Sequence, residues 1–327
     1  MTQFPAFVPA RLLRNHHLMT VVPHYWSRGL LLAGIAVEQR VFTTAPHTQL
    51  LGYCHWQDNR RAAQTVVLLH GLEGCSDSHY MHGIAAKAYD AGLNVIRMNQ
   101  RTCGGTEHLS PTLYNSGLSD DYRSVVRELA ATEQLDHIWL IGYSMGGNIL
   151  LKATGEIGRT ELALAGTIAV CPNIDPTQCV IELERPANWI YHHHFLSRLK
   201  ARVGRKAVLS PDKWNLSGLD GITRITEFDD RYTAPDGGYR SAADYYDRAG
   251  AHHVLGSIAV PTTIITAQDD PFIPYSMFTT PMIQRNSYIR LIAPTHGGHC
   301  GFFQTRQVDE DRYWVENRII EIVTGTL

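Results

Sequence analysis

The chain has 327 residues, 44% of them apolar and 18% charged, which allows a sizeable buried core and excludes a disordered polymer. Lys and Arg total 29 against 31 Asp and Glu, a net charge of −2 with no basic block, so nucleic acid is not an expected partner. The six cysteines (Cys54, Cys75, Cys103, Cys171, Cys179 and Cys300) include no C-x-x-C pair and read as free thiols of a reducing compartment.

The opening stretch MTQFPAFVPARLLRNHHLMT lacks the basic, apolar and small-residue order of a signal peptide. The apolar run from Leu30 to Val37 is broken by Gly34 and is far shorter than the about 20 residues that span a bilayer. A cytoplasmic protein with no transmembrane segment is expected. Oligomeric state is not legible in the sequence.

Residues 1–64 are expected to give an N-terminal arm and one or two leading strands. From residue 65, short β-rich runs alternate with amphipathic stretches. TVVLLHG (65–71) reads as a buried strand, HYMHGIAAKAYDAG (79–92) as a helix closed by Gly92, and LNVIRMN (93–99) as a second strand. SDDYRSVVRELAATEQ (119–134) reads as a helix capped by Ser119 or an adjacent Asp, with Tyr122, Val125, Val126 and Leu129 on one face. HIWLIGYS (137–144) is a strand, MGGNILLKATGE (145–156) begins a helix, and LAGTIAVCP (164–172) is a further strand. This alternation implies an α/β fold, a mostly parallel sheet with helices on both faces.

The alternation breaks over residues 173–250, which hold helix-like charged and aromatic segments. They are expected to form a helical cap inserted between core halves 65–172 and 251–327. VPTTIITAQDD (260–270) and YIRLIAP (288–294) resume the strands, and RYWVENRIIEIV fits a terminal helix.

The chemistry begins at IGYSMGG. G-x-S-x-G between a strand and a helix is a nucleophile elbow, in which Ser144 occupies a strained turn above the sheet. Side chains at Gly142 and Gly146 would collide with neighbouring backbone. The helix N-terminus behind Ser144 adds partial positive charge where an oxyanion forms. A serine hydroxyl needs a base, and the fold orders the partners Ser, then acid, then His. IITAQDDP supplies Asp269 and Asp270; PTHGGHCGFF supplies His296 and His299. Asp270 is favoured because Pro271 biases it to an extended strand exit. His299 is favoured because glycines on both sides make its turn adaptable. The oxyanion donors are expected to be the backbone N–H groups of Met145 and of Leu72 in HGLEG (70–74).

RNHHLMT, HGLEG, GYSMGGN, FDDRYTAPDGGY, DDPF and HGGHCGF together resemble the YheT-like branch of the α/β-hydrolases, bacterial proteins related to eukaryotic lipid esterases and acyltransferases. The resemblance spans nearly the whole chain. It implies an α/β-hydrolase fold with a cap, Ser144–Asp270–His299 as the triad, and esterase-type activity. Met19 stands where the family more often has Gln, and Thr102 where it usually has Gly.

Other features carry blander readings. The consecutive histidines of YHHHFL (191–196) point about 100° apart on a helix and cannot converge on one metal. Trp189, Leu196, Leu199 and Val203 mark a buried stripe there. His16-His17 and His252-His253 lack partners at ligand spacing. DYYDR and EFDDRYTAP either line a pocket or seat the cap, and Glu73 reads as a solvated loop charge.

The resulting expectation is a serine hydrolase cleaving short- to medium-chain acyl esters, with a small-molecule ester bearing an apolar acyl chain as substrate and no cofactor or metal. An acyltransferase using the same acyl-enzyme, and a non-catalytic binding protein on a hydrolase fold, are the alternatives.

Overall fold

Successive residues of TVVLL turn to opposite sides of the sheet. In the computed structural model, which describes residues 4–325, Val67 and Leu69 enter one apolar layer and Val66 and Leu68 the other. That strand is one of eight: β1 (Glu38–Ala45), β2 (Thr48–His55), β3 (Thr65–Leu69), β4 (Asn94–Met98), β5 (Ile138–Tyr143), β6 (Leu164–Val170), β7 (Thr262–Ile265) and β8 (Ile289–Ile292). Their order is β1-β2-β4-β3-β5-β6-β7-β8. β2 runs antiparallel to β1 and β4, and every other pair is parallel.

The helices are α1 (His16–Val21), α2 (His79–Asp90), α3 (Ser119–Glu128), α4 (Met145–Ile157), α5 (Pro176–Leu183), α6 (Trp189–Leu209), α7 (Ile225–Phe228), α8 (Ala234–Asp236), α9 (Ala242–Ala249), α10 (Pro281–Gln284) and α11 (Trp314–Thr324). α3 and α4 share one layer through Val125, Val126, Ile149 and Leu150. α2 and α11 fill the other through Met81, Ile84, Trp314 and Ile319. No helix among the described residues is long and apolar enough to cross a membrane.

Two local expectations need correction. Ser119 does not cap α3; its hydroxyl donates to Glu156 Oε2 of α4 at 2.6 Å, so a tertiary partner outcompetes the local one. The 119–134 segment also widens into a π-turn over Leu129–Glu133.

Strand register places the site. Leu69 lies beside Gly142, Tyr143 beside Val170, and Val170 beside Ile265, which pairs in turn with Ile292. The loops after β3, β5, β6, β7 and β8 therefore open on one edge. Strand order reverses between β3 and β5, and a crevice at such a reversal is where open α/β sheets bind ligands. Between β6 and β7 the chain forms α5 to α9.

Candidate active site

The serine turn is explained by what its neighbours lack. Ser144 has φ 53° and ψ −121°, a region costly for a residue with a side chain, on the order of 1–3 kcal/mol. Its N–H donates to Val170 O at 2.8 Å, and its carbonyl accepts from Asn148 N at 3.1 Å. A Cβ on Gly142 would lie 2.5 Å from Gly146 O, and one on Gly146 would lie 2.5 Å from His70 O. Neither glycine can carry a side chain while β3, β5 and α4 meet this closely. Asn148 fixes α4 from behind: its amide donates to Ser116 O and Ala249 O, and its oxygen accepts from Ala251 N.

The loop after β3 carries Leu72. His70, fully buried, is held neutral because burial drives its pKa down to about 4. Its Nε2 accepts from Gln100 N at 3.2 Å, leaving Nδ1–H to donate to Gly71 O at 2.8 Å. Among the described residues no group accepts from the N–H of Leu72 or of Met145, the first residue of α4.

Glu73 is not a solvated charge. Arg202 of α6 donates to both its carboxylate oxygens, at 2.9 and 2.8 Å, and Tyr114 Oη donates to Oε1 at 2.8 Å. Arg202 also donates to Thr102 O. Thr102 has φ 60°, the left-handed conformation in which glycine is unstrained, and its hydroxyl is buried without a partner.

The two aspartates and two histidines sort into separate pairs. His299 Nδ1 donates to Asp270 Oδ2 at 2.7 Å, with side chains 11% and 0% exposed. Asp270 Oδ1 accepts from the N–H groups of Phe272 and Ile273 at 3.1 and 3.0 Å, which fixes the carboxylate. His296 Nδ1 donates to Asp269 Oδ2 at 3.1 Å, but its side chain is 46% exposed. Asp269 Oδ1 accepts from Gly298 N at 3.0 Å and so supports the turn that carries His299.

Burial opposes a charge on the His299 ring, yet Asp270 and Cys300 outweigh it and raise its pKa well above the ordinary histidine range. Burial likewise opposes a Cys300 thiolate, but Cys171 and His299 bring that thiol down to about 6.

α1 braces the His299 turn, a role the sequence did not signal. Thr20 Oγ1 accepts from His299 N at 2.8 Å and donates to His16 O at 2.7 Å. A Cβ on Gly298 would lie 2.7 Å from His16 O, and one on Gly301 would lie 2.2 Å from Met19 O. Met19 is buried, and its sulfur accepts from Phe303 N at 3.2 Å. The RNHHLMT and HGGHCGF segments are thus two halves of one contact.

Leu72, Ser144, Met145 and Phe272 line one cavity, joined by Val180 of α5 and Phe195 of α6. The Phe272 ring packs on His299 with centroids 4.2 Å apart. Asp229 and Tyr246 form a polar corner, where Tyr246 Oη donates to Asp229 Oδ2 at 2.6 Å. The other acids of FDDRYTAPDGGY are anchors: Asp230 accepts from Ala242 N and Asp236 from Leu113 N, each at 2.6 Å. On α6, Leu196, Leu199 and Val203 are buried as the spacing implies, whereas Trp189 is 63% exposed at the helix start. His192 accepts from Ile225 N at 3.3 Å, and His193 and His194 are exposed.

This sheet order, with a strand–serine–helix elbow at the point of reversal, defines an α/β hydrolase. The Alpha/beta hydrolase family profile matches residues 66–310, and the chain belongs to that family. The provisionally named esterase YheT of Escherichia coli (strain K12) is 31% identical over 98% of this chain and 94% of its own length. Phospholipase ABHD3 of Mus musculus is 30% identical over 76% of this chain, a match covering 62% of that protein. Among solved structures, the Pyrococcus furiosus esterase Pf2001 shares the fold at TM-score 0.61 and 16% identity, over 99% of both chains.

Proposed function

We propose that this protein is a serine hydrolase that cleaves carboxylic esters with short- to medium-chain acyl groups. Ser144 Oγ attacks the ester carbonyl while His299, in its deprotonated form, takes its proton. Asp270 holds the Nδ1–H tautomer and offsets the imidazolium charge. The N–H groups of Leu72 and Met145 receive the oxyanion, and His299 returns its proton to the departing alcohol. Water then attacks the acyl-enzyme with His299 again as base, releasing the acid and restoring Ser144. The acyl chain lies among Val180, Phe195 and Phe272, with residues 173–250 acting as the cap.

One observation carries this reading: the buried Asp270–His299 pair packs on Phe272, which lines the same cavity as Ser144. The esterase and lipid-hydrolase names of the relatives support it. The test is a panel of p-nitrophenyl esters of graded acyl length, run beside Ser144→Ala and with an added alcohol. Turnover that vanishes in Ser144→Ala and yields free acid is expected. Turnover that persists in Ser144→Ala removes the mechanism, and dominant transfer to the alcohol replaces hydrolase by acyltransferase.

A further inference from the structure

Two thiols beside the His299 ring have no part in the proposed hydrolysis. Cys171 directly follows β6 and is fully buried; Cys300 follows His299 and is partly exposed; both are free. Cys300 N–H donates to Cys171 Sγ at 3.4 Å. Two of the three residues are held by their backbones: Cys171 N donates to Ile265 O at 2.7 Å, and His299 N donates to Thr20 Oγ1 at 2.8 Å. The two sulfurs and one ring nitrogen of His299 all lie within 4.8 Å of one another.

We propose that Cys171, His299 and Cys300 form a binding site for a thiophilic divalent cation, zinc in particular, and that occupancy switches the ester chemistry off. The regulatory half of this inference rests on the role assigned to His299 above. Tetrahedral zinc with bonds of about 2.3 Å to sulfur and about 2.0 Å to nitrogen sets its ligand atoms about 3.6–3.8 Å apart. A contraction of about 1 Å at most therefore completes the set. Two thiolates and an imidazole suit zinc, and they disfavour magnesium and calcium, which take oxygen ligands. Binding takes both sulfurs as thiolates and releases to solvent any proton that they and the ligating ring nitrogen still hold, so two thiolates balance the dication. The fourth position is left for water. Either ring nitrogen serves the switch. Metal on Nε2 removes the lone pair that accepts the serine proton, and metal on Nδ1 displaces Asp270.

A second cluster, Asp247, His252 and His253, also brings three ligand atoms within 4.8 Å, but it is largely exposed and offers no sulfur. That difference gives the experiment its readout. Reduced protein is titrated with Co²⁺ and followed for a sulfur-to-cobalt charge-transfer band, which Zn²⁺ should erase at one equivalent. Zn²⁺ should abolish turnover of the best ester in the panel, and EDTA should restore it. Cys171→Ser and Cys300→Ser should each lose the band and, measured against their own zinc-free turnover, need about 100-fold more zinc for inhibition, since even outer-shell losses cost about 10–100-fold in affinity. Should the buried Cys171 variant not fold, the more accessible Cys300→Ser carries the same test. No charge-transfer band, or zinc inhibition unchanged in the serine variants, overturns the site. The cobalt band is read without turnover. A band without esterase activity would sink the esterase reading and leave the metal site, and esterase activity without a band would do the reverse.

Discussion

Arg202 of α6 grips Glu73 of the loop after β3 through two hydrogen bonds of 2.9 and 2.8 Å, with side chains only 5% and 3% exposed. The helical segment between β6 and β7 is thereby keyed to the loop that carries Leu72. Removing one partner leaves an uncompensated buried charge, which costs about 3–5 kcal/mol. Arg202→Met should lower stability by that amount in denaturant titration and reduce kcat through a displaced Leu72 N–H. Arg202→Met with Glu73→Gln should recover much of the stability. Strict additivity of the two single changes would show that the pair is not coupled.

The two Asp–His pairs should separate in kinetics. Asp270→Asn and His299→Ala are each expected to lower kcat/KM by on the order of 10³–10⁴. Asp269→Asn keeps an oxygen for Gly298 N–H, and His296 is half exposed, so Asp269→Asn and His296→Ala should cost less than about tenfold. Equal losses in the two sets would end the assignment of roles.

Steric closure at the elbow gives a third expectation. Gly146→Ala places a Cβ 2.5 Å from His70 O, and the backbone has to move to relieve it. Overpacking of this kind costs about 1–3 kcal/mol or more. Thermal denaturation should register that loss, and a fluorophosphonate probe should label Ser144 at a small fraction of the wild-type rate. Wild-type labelling in Gly146→Ala would mean that the turn tolerates a side chain.

Asp229 makes stability depend on pH. Burial pushes its pKa up to about 6 from an ordinary 3.8, so between pH 4 and 6 the folded state keeps a proton that the unfolded chain has released. Its contribution is full below about pH 4 and is lost as pH rises through 6, on the order of 3 kcal/mol in all. Asp229→Asn should therefore gain Tm relative to wild type as pH rises from 5 to 8. A Tm difference independent of pH would show that Asp229 is not held protonated.

Much of the sheet is legible because its determinants are local. TVVLL, NVIRM and IWLIGY announce themselves as apolar runs, and the elbow announces itself by glycines that the close approach of backbone demands. The braces are not legible. Arg202 and Glu73 are 129 residues apart, and Thr20 and His299 are 279 apart. Neither spacing leaves a periodic trace. Glu73 therefore reads as an ordinary loop charge until α6 is seen across from it. Both Asp–His pairs are visible in DDP and HGGHC; Pro271 and the glycines beside His299 favour one member of each, and the pairing of Asp270 with His299 and of Asp269 with His296 shows only in the tertiary structure. Ser119 carries an N-cap signal that the distant Glu156 overrides.

The brace between Thr20 and His299 has a consequence for biosynthesis. The helix that steadies the histidine turn is made before Ser144, and the turn itself well after it. Ser144 emerges before His299, the base proposed for it. A nascent chain thus carries Ser144 without its proposed base until the His299 turn has been made and has docked on α1.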